Sequence, residues 1–358
     1  MTSRLPDNCA TLYADLQQKV MDSIALEPGG SFVSKSVKGM TYWYFQTPQV
    51  SGQRRQIFVG RETPELLARI ETARLAKADA ANILNERKRL VAMLSAGGAT
   101  MEKGRPARII DSMAKAGLFD GGGVLVGSFA FACYGNMLGV AFASSLSRTE
   151  DMDFSVQREI QIGMSRDIGA ELQRVEPSLK LPPQIRPSAK PFEMIASDGF
   201  KVEFLTTRDG PADKFPVPIE QLSIHAQPLE YMDYLIENSQ PAVLLYGAGV
   251  PVRLPDPARF ALHKLAVSQL RPSGAKNKAD KDLRQAEAII GVLLEDNPGL
   301  ILLAADAINE RTDLMGNIVR AGAAGLPVAM KEEIENAVYP KVWDVGAGTA
   351  RSQGNKHS

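Results

Sequence analysis

The segment "VGSFAFACYGNMLGVAFASSLSRTEDMDFSV" occupies residues 126–156 and decides how the chain is interpreted. It begins with an apolar run that ends at Gly127 and Ser128, and it closes with Asp151 and Asp153. The run "GVLVG" predicts a buried strand, "SFAFACYGNML" a mostly buried helix, and "DMDFSV" a second strand. The segment is therefore either an ordinary strand, helix and strand, or one half of a metal-nucleotide site.

The two aspartates are spaced for a metal site. Residues i and i+2 of a strand point to the same face, so Asp151 and Asp153 present two carboxylates side by side while Met152 and Phe154 face the core. Hard cations such as Mg²⁺ prefer oxygen ligands and commonly take only one or two protein carboxylates. With no soft ligand nearby, the pair predicts Mg²⁺ or Mn²⁺ rather than zinc.

Gly127 and Ser128 supply the features of a phosphate site. They lie where a strand passes into a helix, and there free backbone N–H groups and the helix dipole favour an anion. Glycine allows a phosphate to approach the backbone closely, and the serine hydroxyl adds one donor. Taken alone, such a pair is usually a simple turn.

A third carboxylate completes the pattern. Glu203 in "KVEFL" is flanked by Val202 and Phe204, so it points away from the core and towards the face that the two aspartates use. Alone, Glu203 would be an exposed strand residue, and a lone Asp-X-Asp is more often solvated or a helix cap. The order and spacing of the three elements favour a site.

That order resembles the nucleotidyltransferase domain of the DNA-polymerase-β superfamily. The resemblance covers residues 121–206, and "GLFDGGGVLVGSFAFACYGNMLG", "TEDMDF", "VEFLT" and "LPDPARFALHKLAV" are most similar to a bacterial group of nucleotidyltransferase-like proteins. It implies an α+β fold: a small mixed sheet with helices, followed by a helical domain that closes over a nucleoside triphosphate.

The resemblance also implies a role for each candidate residue. Gly127 and Ser128 would hold the triphosphate, while Asp151 and Asp153 would bind the metal. Glu203 would be the third carboxylate, a further metal ligand and the candidate general base. Many members of the superfamily have aspartate at this last position.

Lys264 is the candidate that the helical domain contributes. In related transferases a lysine of that domain reaches the triphosphate, and the alternative is a surface lysine that packs its stem on apolar neighbours. Four basic residues further on give the region a positive excess: Lys276, Lys278, Lys281 and Arg284. Asp280 and Asp282 are interleaved with them and favour a plain solvated helix. His225 and His263 lack a metal-ligand pattern and are interpreted as structural.

The pattern divides the chain into four parts. Residues 1–118 form a helical N-terminal region with an aromatic β-hairpin, "TYWYFQ" and "RQIFVG", and residues 119–210 form the nucleotidyltransferase core. Residues 211–340 are mainly helical, with one hairpin at "AVLLYGAGVPVRL", and residues 341–358 form a polar tail, whose last eight residues, "RSQGNKHS", are expected to be disordered. The N-terminal region suits a protein partner.

Composition excludes several classes of protein. The 358 residues include 41 Lys and Arg and 41 Asp and Glu, a balance that disfavours a template-directed polymerase. The two cysteines, Cys9 and Cys133, are far apart and argue against a disulfide scaffold. No signal peptide or spanning apolar stretch is recognised, so the sequence predicts a cytoplasmic protein that does not cross a membrane.

Three functions remain open from the sequence. The first is a magnesium-dependent nucleotidyltransferase that moves a nucleoside monophosphate from an NTP to an acceptor hydroxyl and releases pyrophosphate. The acceptor is a small molecule, a protein or an RNA. The second is a catalytically silent nucleotide-binding or scaffold protein with the same fold. The third is a toxin-like transferase of an abortive-infection type system, for which an RNA or protein acceptor would be favoured.

Overall fold

The computed structural model describes most of the chain. The described ranges are 2–23, 31–37, 40–46, 56–147, 149–158, 167–183, 190–210, 212–344 and 349–352. All statements below refer to these residues.

The N-terminal region contains three helices and two groups of strands. Its elements are β1 (Ser3–Arg4), α1 (Asn8–Ser23), β2 (Ser31–Val37), β3 (Met40–Gln46), β4 (Gln56–Arg61), α2 (Pro64–Ala96) and α3 (Gly104–Lys115). The predicted hairpin is confirmed, because β3 and β4 pair antiparallel. The sequence missed β2, which pairs with the other edge of β3.

The long helix α2 begins and ends where its capping residues predict. The hydroxyl of Thr63 accepts a hydrogen bond from the amide of Leu66 at 3.2 Å, and Pro64 occupies the first helical position. The helix ends at Ala96, with Gly97 as its C-cap. These signals are local, so the sequence alone was sufficient to place this helix.

The central sheet is mixed, as predicted. The elements of this region are β5 (Val124–Val126), α4 (Gly127–Met137), β6 (Val140–Ala141), α5 (Ser144–Ser147), β7 (Asp151–Ser155), α6 (Ile168–Val175), β8 (Glu193–Ile195), β9 (Lys201–Thr207), β10 (Val217–Ile219) and β11 (Ile224–Leu229). The strand order is β10-β11-β9-β7-β5, and β8 pairs with the first half of β9. Strand β9 is parallel to both β7 and β11. The sequence missed β10 and β11, which extend the sheet beyond residue 210.

One face of the sheet is apolar and packs in the core, which determines which side chains point to the opposite face. Met152 and Phe154 on β7, and Val202 and Phe204 on β9, are buried. The rings of Phe154 and Phe204 stack with their centroids 5.9 Å apart. Burial of side chains of this size stabilises a fold by roughly 1.5–3 kcal/mol each. The alternate residues Asp151 and Asp153 of β7 and Lys201 and Glu203 of β9 are therefore held on the opposite face, where they are partly exposed.

The C-terminal region is mainly helical, and its predicted hairpin is present as β12 and β13. Its elements are α7 (Met232–Ile236), β12 (Gln240–Leu244), β13 (Val250–Leu254), α8 (Pro257–Leu270), α9 (Lys276–Asp296), α10 (Pro298–Asn309), α11 (Met315–Ala323), α12 (Val328–Ala337), β14 (Lys341–Asp344) and β15 (Thr349–Ser352). Helix signals that begin at Asp256-Pro257, near Lys278 and at Pro298 predict α8, α9 and α10, whereas the sequence gives no such signal for α11 or α12. Strand β15 also includes the first two residues of the tail that was expected to be disordered, because β15 pairs with β14.

The sheet and the C-terminal helices share one apolar core. Phe154 of β7, Phe260 of α8 and Ile290 of α9 belong to the same buried cluster. A second, smaller cluster joins α1 to β12, where the hydroxyl of Tyr13 bonds both to the amide and to the carbonyl of Val243. Because α8 and α9 belong to the main core, they are fixed relative to the sheet.

Among the described ranges, no helix is both long enough and apolar enough to cross a membrane.

His263 on α8 gives the fold a defined response to acid. Burial, reinforced by the charge of the adjacent Lys264 ammonium, lowers the pKa of His263 from its ordinary 6.5 to about 3. Its Nε2 has no hydrogen-bond partner among the described residues. The other charged groups that act on it are Asp282, Asp233 and Arg271. The imidazole is therefore neutral in the folded protein across the physiological range.

We expect the stability to fall as the pH decreases below about 6.5, because the unfolded chain then binds a proton that the folded chain does not. At pH 5 this linkage lowers the free energy of unfolding by on the order of 2 kcal/mol relative to pH 8. Urea titrations of wild type and His263→Gln at both values measure it. The variant should lose this part of the pH dependence, whereas His225→Gln, at a partly exposed position, should keep it. If the free energy of unfolding changed equally between the two pH values in wild type and in His263→Gln, this role of His263 would be contradicted.

Candidate functional site

Two of the predicted carboxylates are direct neighbours across the sheet. Asp153 of β7 and Glu203 of β9 are Cα partners in the parallel pairing, and Asp151 pairs in the same way with Lys201. Residues that pair in this way share a face, so all four side chains lie opposite the apolar face. The structure thus brings Asp151, Asp153 and Glu203 to one face, as the alternation of the two strands predicts.

Gly127 lies directly against the second aspartate. Val126 pairs with Asp153, and Gly127 follows with φ +65°, a conformation that side chains rarely adopt. A Cβ at position 127 would lie 2.2 Å from Oδ2 of Asp153. The two halves predicted from the sequence therefore meet, and the contact with Asp153 gives a reason for glycine that is independent of any phosphate.

The first turn of α4 retains features of an anion site. No side chain of the described residues caps this helix, whose N-cap is Val126. Ser128 follows in the first turn, and its buried hydroxyl oxygen lies 3.4 Å from Nε2 of Gln285 on α9. Nε2 of Gln285 also donates to the carbonyl of Leu146 at 2.7 Å, so the amide group is fixed beside Ser128.

One face of α9 closes over the carboxylates. Nζ of Lys278 lies 2.9 Å from Oδ2 of Asp151, and both Asp282 and Gln285 are buried. Residues 278, 282 and 285 are three or four positions apart and therefore share one face of the helix. The expectation of a plain solvated helix was wrong, because alternating charges along the sequence do not reveal which of them share a face.

Lys264 is buried in an ion pair. Its Nζ lies 2.5 Å from Oδ1 of Asp282, and Nε of Arg271 lies 2.9 Å from Oδ2 of the same carboxylate. Burial alone would raise the pKa of Asp282, but the two cations outweigh burial and hold the pKa below its ordinary value. The alternative of a surface lysine is therefore wrong. The predicted contact of Lys264 with a triphosphate stays a prediction.

Two of the carboxylates on the sheet, Asp153 and Glu203, lie where the ionised form is unfavourable. Burial, opposed by Lys264 and reinforced by Asp151, raises the pKa of Asp153 to about 6. Burial, together with the charges of Asp153, Asp151 and Glu193, raises the pKa of Glu203 to about 7. Each shift reports that the ionised form is unfavourable without an added cation.

The sequence missed Glu193, which lies beside Glu203. Together with Asp153, these side chains form a row of acidic residues across β7, β9 and β8, called the acidic row below. Glu193 is the antiparallel Cα partner of Glu203 on β8, and its carboxylate lies 3.1 Å from Nζ of Lys201. Strand alternation could have placed Lys201 on the acidic face, because it is two residues before Glu203. Glu193 could not be placed in this way, since the register of β8 against β9 depends on the turn between them.

The donor set fits a hard dication in part. No three His, Cys, Asp or Glu side chains of the described ranges already converge on one point. Asp153 and Glu203 nevertheless offer oxygen donors on adjacent strands, and two carboxylates completed by phosphate oxygens and water are the usual protein contribution to Mg²⁺. The residues therefore fit a metal that arrives with a phosphate ligand rather than a preformed protein cage.

Asp153 and Glu203 are thus paired across a small mixed sheet, and Asp153 lies against the uncapped start of α4. A nucleotidyltransferase family model matches residues 105–310, which is more than half of the chain. The chain therefore belongs to this nucleotidyltransferase family. The match includes every candidate residue from Gly127 to Lys264, together with helix α9.

Comparisons with individual proteins add little. No curated protein matches the sequence. Among solved structures, an antigenic nucleotidyltransferase-like protein from Paracoccidioides brasiliensis is similar at 15% identity, over 60% of this chain and 92% of that chain, with a TM-score of 0.31. At this level of similarity the match supports no argument about the site.

Proposed function

We propose that the protein is a Mg²⁺- or Mn²⁺-dependent enzyme that transfers a nucleoside monophosphate from an NTP to an acceptor hydroxyl. The observation that carries the proposal is the register of β7 and β9. It pairs Asp153 with Glu203 and places Asp153 against the uncapped start of α4. Membership of the nucleotidyltransferase family supports the same reaction class.

Each group of candidate residues would have a role that follows from its position in the fold. The N–H groups of the first turn of α4 and the Ser128 hydroxyl would hold phosphate oxygens. Asp151, Asp153 and Glu203 would hold the metal, which neutralises charge that develops on the phosphates. Lys264 and Lys278 would face the triphosphate from the helical side, since their charges already act on Asp153.

Glu203 would act as the general base. The acceptor oxygen attacks the α-phosphorus, the bond from that phosphorus to the bridging oxygen breaks, and pyrophosphate leaves with the bonding electron pair. The proton of the acceptor hydroxyl passes to the Glu203 carboxylate. The neighbouring Asp153 would remain a ligand of the metal during this step.

A silent nucleotide-binding protein is the second candidate. The observation that favours it is the pairing of Asp151 with Lys278 and of Lys264 with Asp282, which engages two of the six candidate residues within the protein. The first pair is exposed, and exposed pairs contribute only about 0–1 kcal/mol, so it does not bar a ligand. The second pair is buried and more costly to break.

Transfer of an α-phosphate label tests the proposal. We expect label to appear on an acceptor when the protein is incubated with each α-labelled NTP, Mg²⁺ or Mn²⁺ and a cell extract. Asp153→Asn should abolish this transfer, because it removes a charge that the metal requires. Asp120→Asn, at an exposed turn, is the matched control and should retain it. Metal-dependent NTP binding without transfer in any extract would favour the silent binder.

A further inference from the structure

A cavity of about 630 Å³ opens beside the candidate site. Small-molecule sites in proteins commonly have volumes of about 300–1,000 Å³, so it is large enough for a metabolite. Phe129, which lines it, directly follows Ser128, and Thr149 and Glu150, which also line it, directly precede Asp151.

Hydrogen bonds couple the cavity wall to the acidic strand. The backbone amide of Asp151 donates to Oγ1 of Thr149 at 3.2 Å, and the same hydroxyl lies 3.2 Å from the Asp151 carbonyl. A molecule in the cavity would therefore lie next to the start of β7.

The wall formed by α4 is apolar but leaves room. Phe129, Ala132 and Gly135 recur every three residues and so form one face of the helix. The ring of Phe142 closes this side, and it is held by stacking on Phe131 at a centroid distance of 4.7 Å. The small side chains between the two rings create the space.

The remaining wall is rich in hydroxyl and carboxylate oxygens. Thr100, Ser144, Ser147 and Thr149 contribute hydroxyl groups, each of which both donates and accepts hydrogen bonds. Glu102 adds a partly buried carboxylate whose pKa is raised by burial. Among the described residues this carboxylate accepts only from the amide of Lys103, at 3.2 Å, so acceptor capacity is left for a ligand.

The oxygen-rich wall is preformed. The buried Asn136 of α4 accepts from the amide of Thr100 at 2.7 Å and donates to its carbonyl at 2.8 Å. The amide of Glu102 donates to the carbonyl of Leu245 at 3.1 Å. These bonds fix the segment that carries Thr100 and Glu102, so a ligand would not have to order it.

We propose that this cavity binds the acceptor and that the acceptor is a small polyhydroxylated molecule of the sugar class. The inference rests on the proposed transfer to a hydroxyl group. Vicinal hydroxyls of a sugar match the carboxylate and the hydroxyl groups of one wall, and its apolar C–H face matches the rings of the other. The carboxylates of Glu102 and Glu150 disfavour a polyanionic acceptor such as an RNA end.

Saturation-transfer NMR on the full chain tests the proposal without any nucleotide. The probes are D-glucose, D-glucosamine and myo-inositol, each alone, with adenosine as a fourth probe for a nucleobase occupant. We expect at least one of the three polyols to bind with millimolar affinity and to be weakened at least tenfold by Ala132→Leu, which fills the cavity. Its binding should not be displaced by adenosine.

Two neighbouring serines provide the matched pair of variants. Ser144 lines this cavity, whereas Ser145 lines a different cavity on the other side of α5, and both are exposed. Ser144→Leu should weaken the polyol at least tenfold, and Ser145→Leu should not, even if Ala132→Leu fails to fold. Three outcomes would overturn the proposal: no polyol binds, adenosine takes the cavity instead, or Ser144→Leu and Ser145→Leu weaken the polyol equally.

Failure of the proposed sugar site can be distinguished from failure of the proposed transferase function. Calorimetry of Mg²⁺-NTP binding tests the carboxylates and α4, and the polyol titration tests only the cavity. Absence of NTP binding with intact polyol binding would remove the transferase and the acceptor role together while leaving a sugar site. Intact NTP binding without polyol binding would leave the transferase and remove the sugar-class acceptor.

Discussion

Replacement of Glu203 by glutamine is expected to preserve nucleotide binding and to lower transfer by about 10²–10⁴-fold, the usual cost of losing a general base. The substitution keeps the shape of the side chain and removes its ability to take a proton. Asp153, the Cα partner of Glu203, remains to hold the metal and triphosphate. The measurement is a calorimetric titration with Mg²⁺-NTP beside a single-turnover assay of α-labelled NTP.

Glu193→Gln is the control for this prediction. Glu193 is also a Cα partner of Glu203 and lies on the same face, but its carboxylate is engaged by Lys201. We expect little change in transfer, because Glu193 contributes negative charge without facing the acceptor. Equal losses in both variants would show that the total charge of the row matters, and unaltered transfer in Glu203→Gln would place the base elsewhere.

Local sequence patterns were sufficient for much of the fold and for the face of the site. Thr63 and Pro64 mark the start of α2, and Asp256 accepts from the amides of Ala258 and Arg259 at the start of α8. Alternation along β7 and β9 placed the three acids on one face, since neighbouring side chains of a strand point in opposite directions. Both kinds of signal depend on residues a few positions apart.

The parts that sequence could not supply depend on pairing between distant segments. Glu193 joins the row only through the register of β8, and Lys278 reaches Asp151 only because α9 packs over the sheet. Strands β10 and β11 were missed because they are short and lack a regular pattern of apolar residues. Their position is set by the second half of β9, which pairs with β11. None of these contacts produces a periodic pattern in the sequence from which it could be predicted.

Lys264→Met is expected to destabilise the protein by about 3–5 kcal/mol, because it leaves a buried carboxylate without its closest cation. Asp282 would keep only Arg271, whose side chain is about one third exposed. The lower end of the range is therefore expected. Urea unfolding measures the loss as a lower midpoint with an unchanged slope. Lys331→Met, which breaks an exposed pair with Glu335, is the control and should change the midpoint little.

The double variant Lys264→Met/Asp282→Leu separates a structural lysine from one that binds phosphate. Replacing both buried charges by apolar side chains should restore most of the lost stability, because neither charge is then left unpaired. Nucleotide binding should nevertheless stay at least tenfold weaker than in wild type. The reason is that the Lys264 charge acts on Asp153 as well as on Asp282, and the double variant removes it from both. If the stabilised double variant bound Mg²⁺-NTP as tightly as wild type, Lys264 would serve only to neutralise Asp282, and the cations facing the triphosphate would have to come from α9.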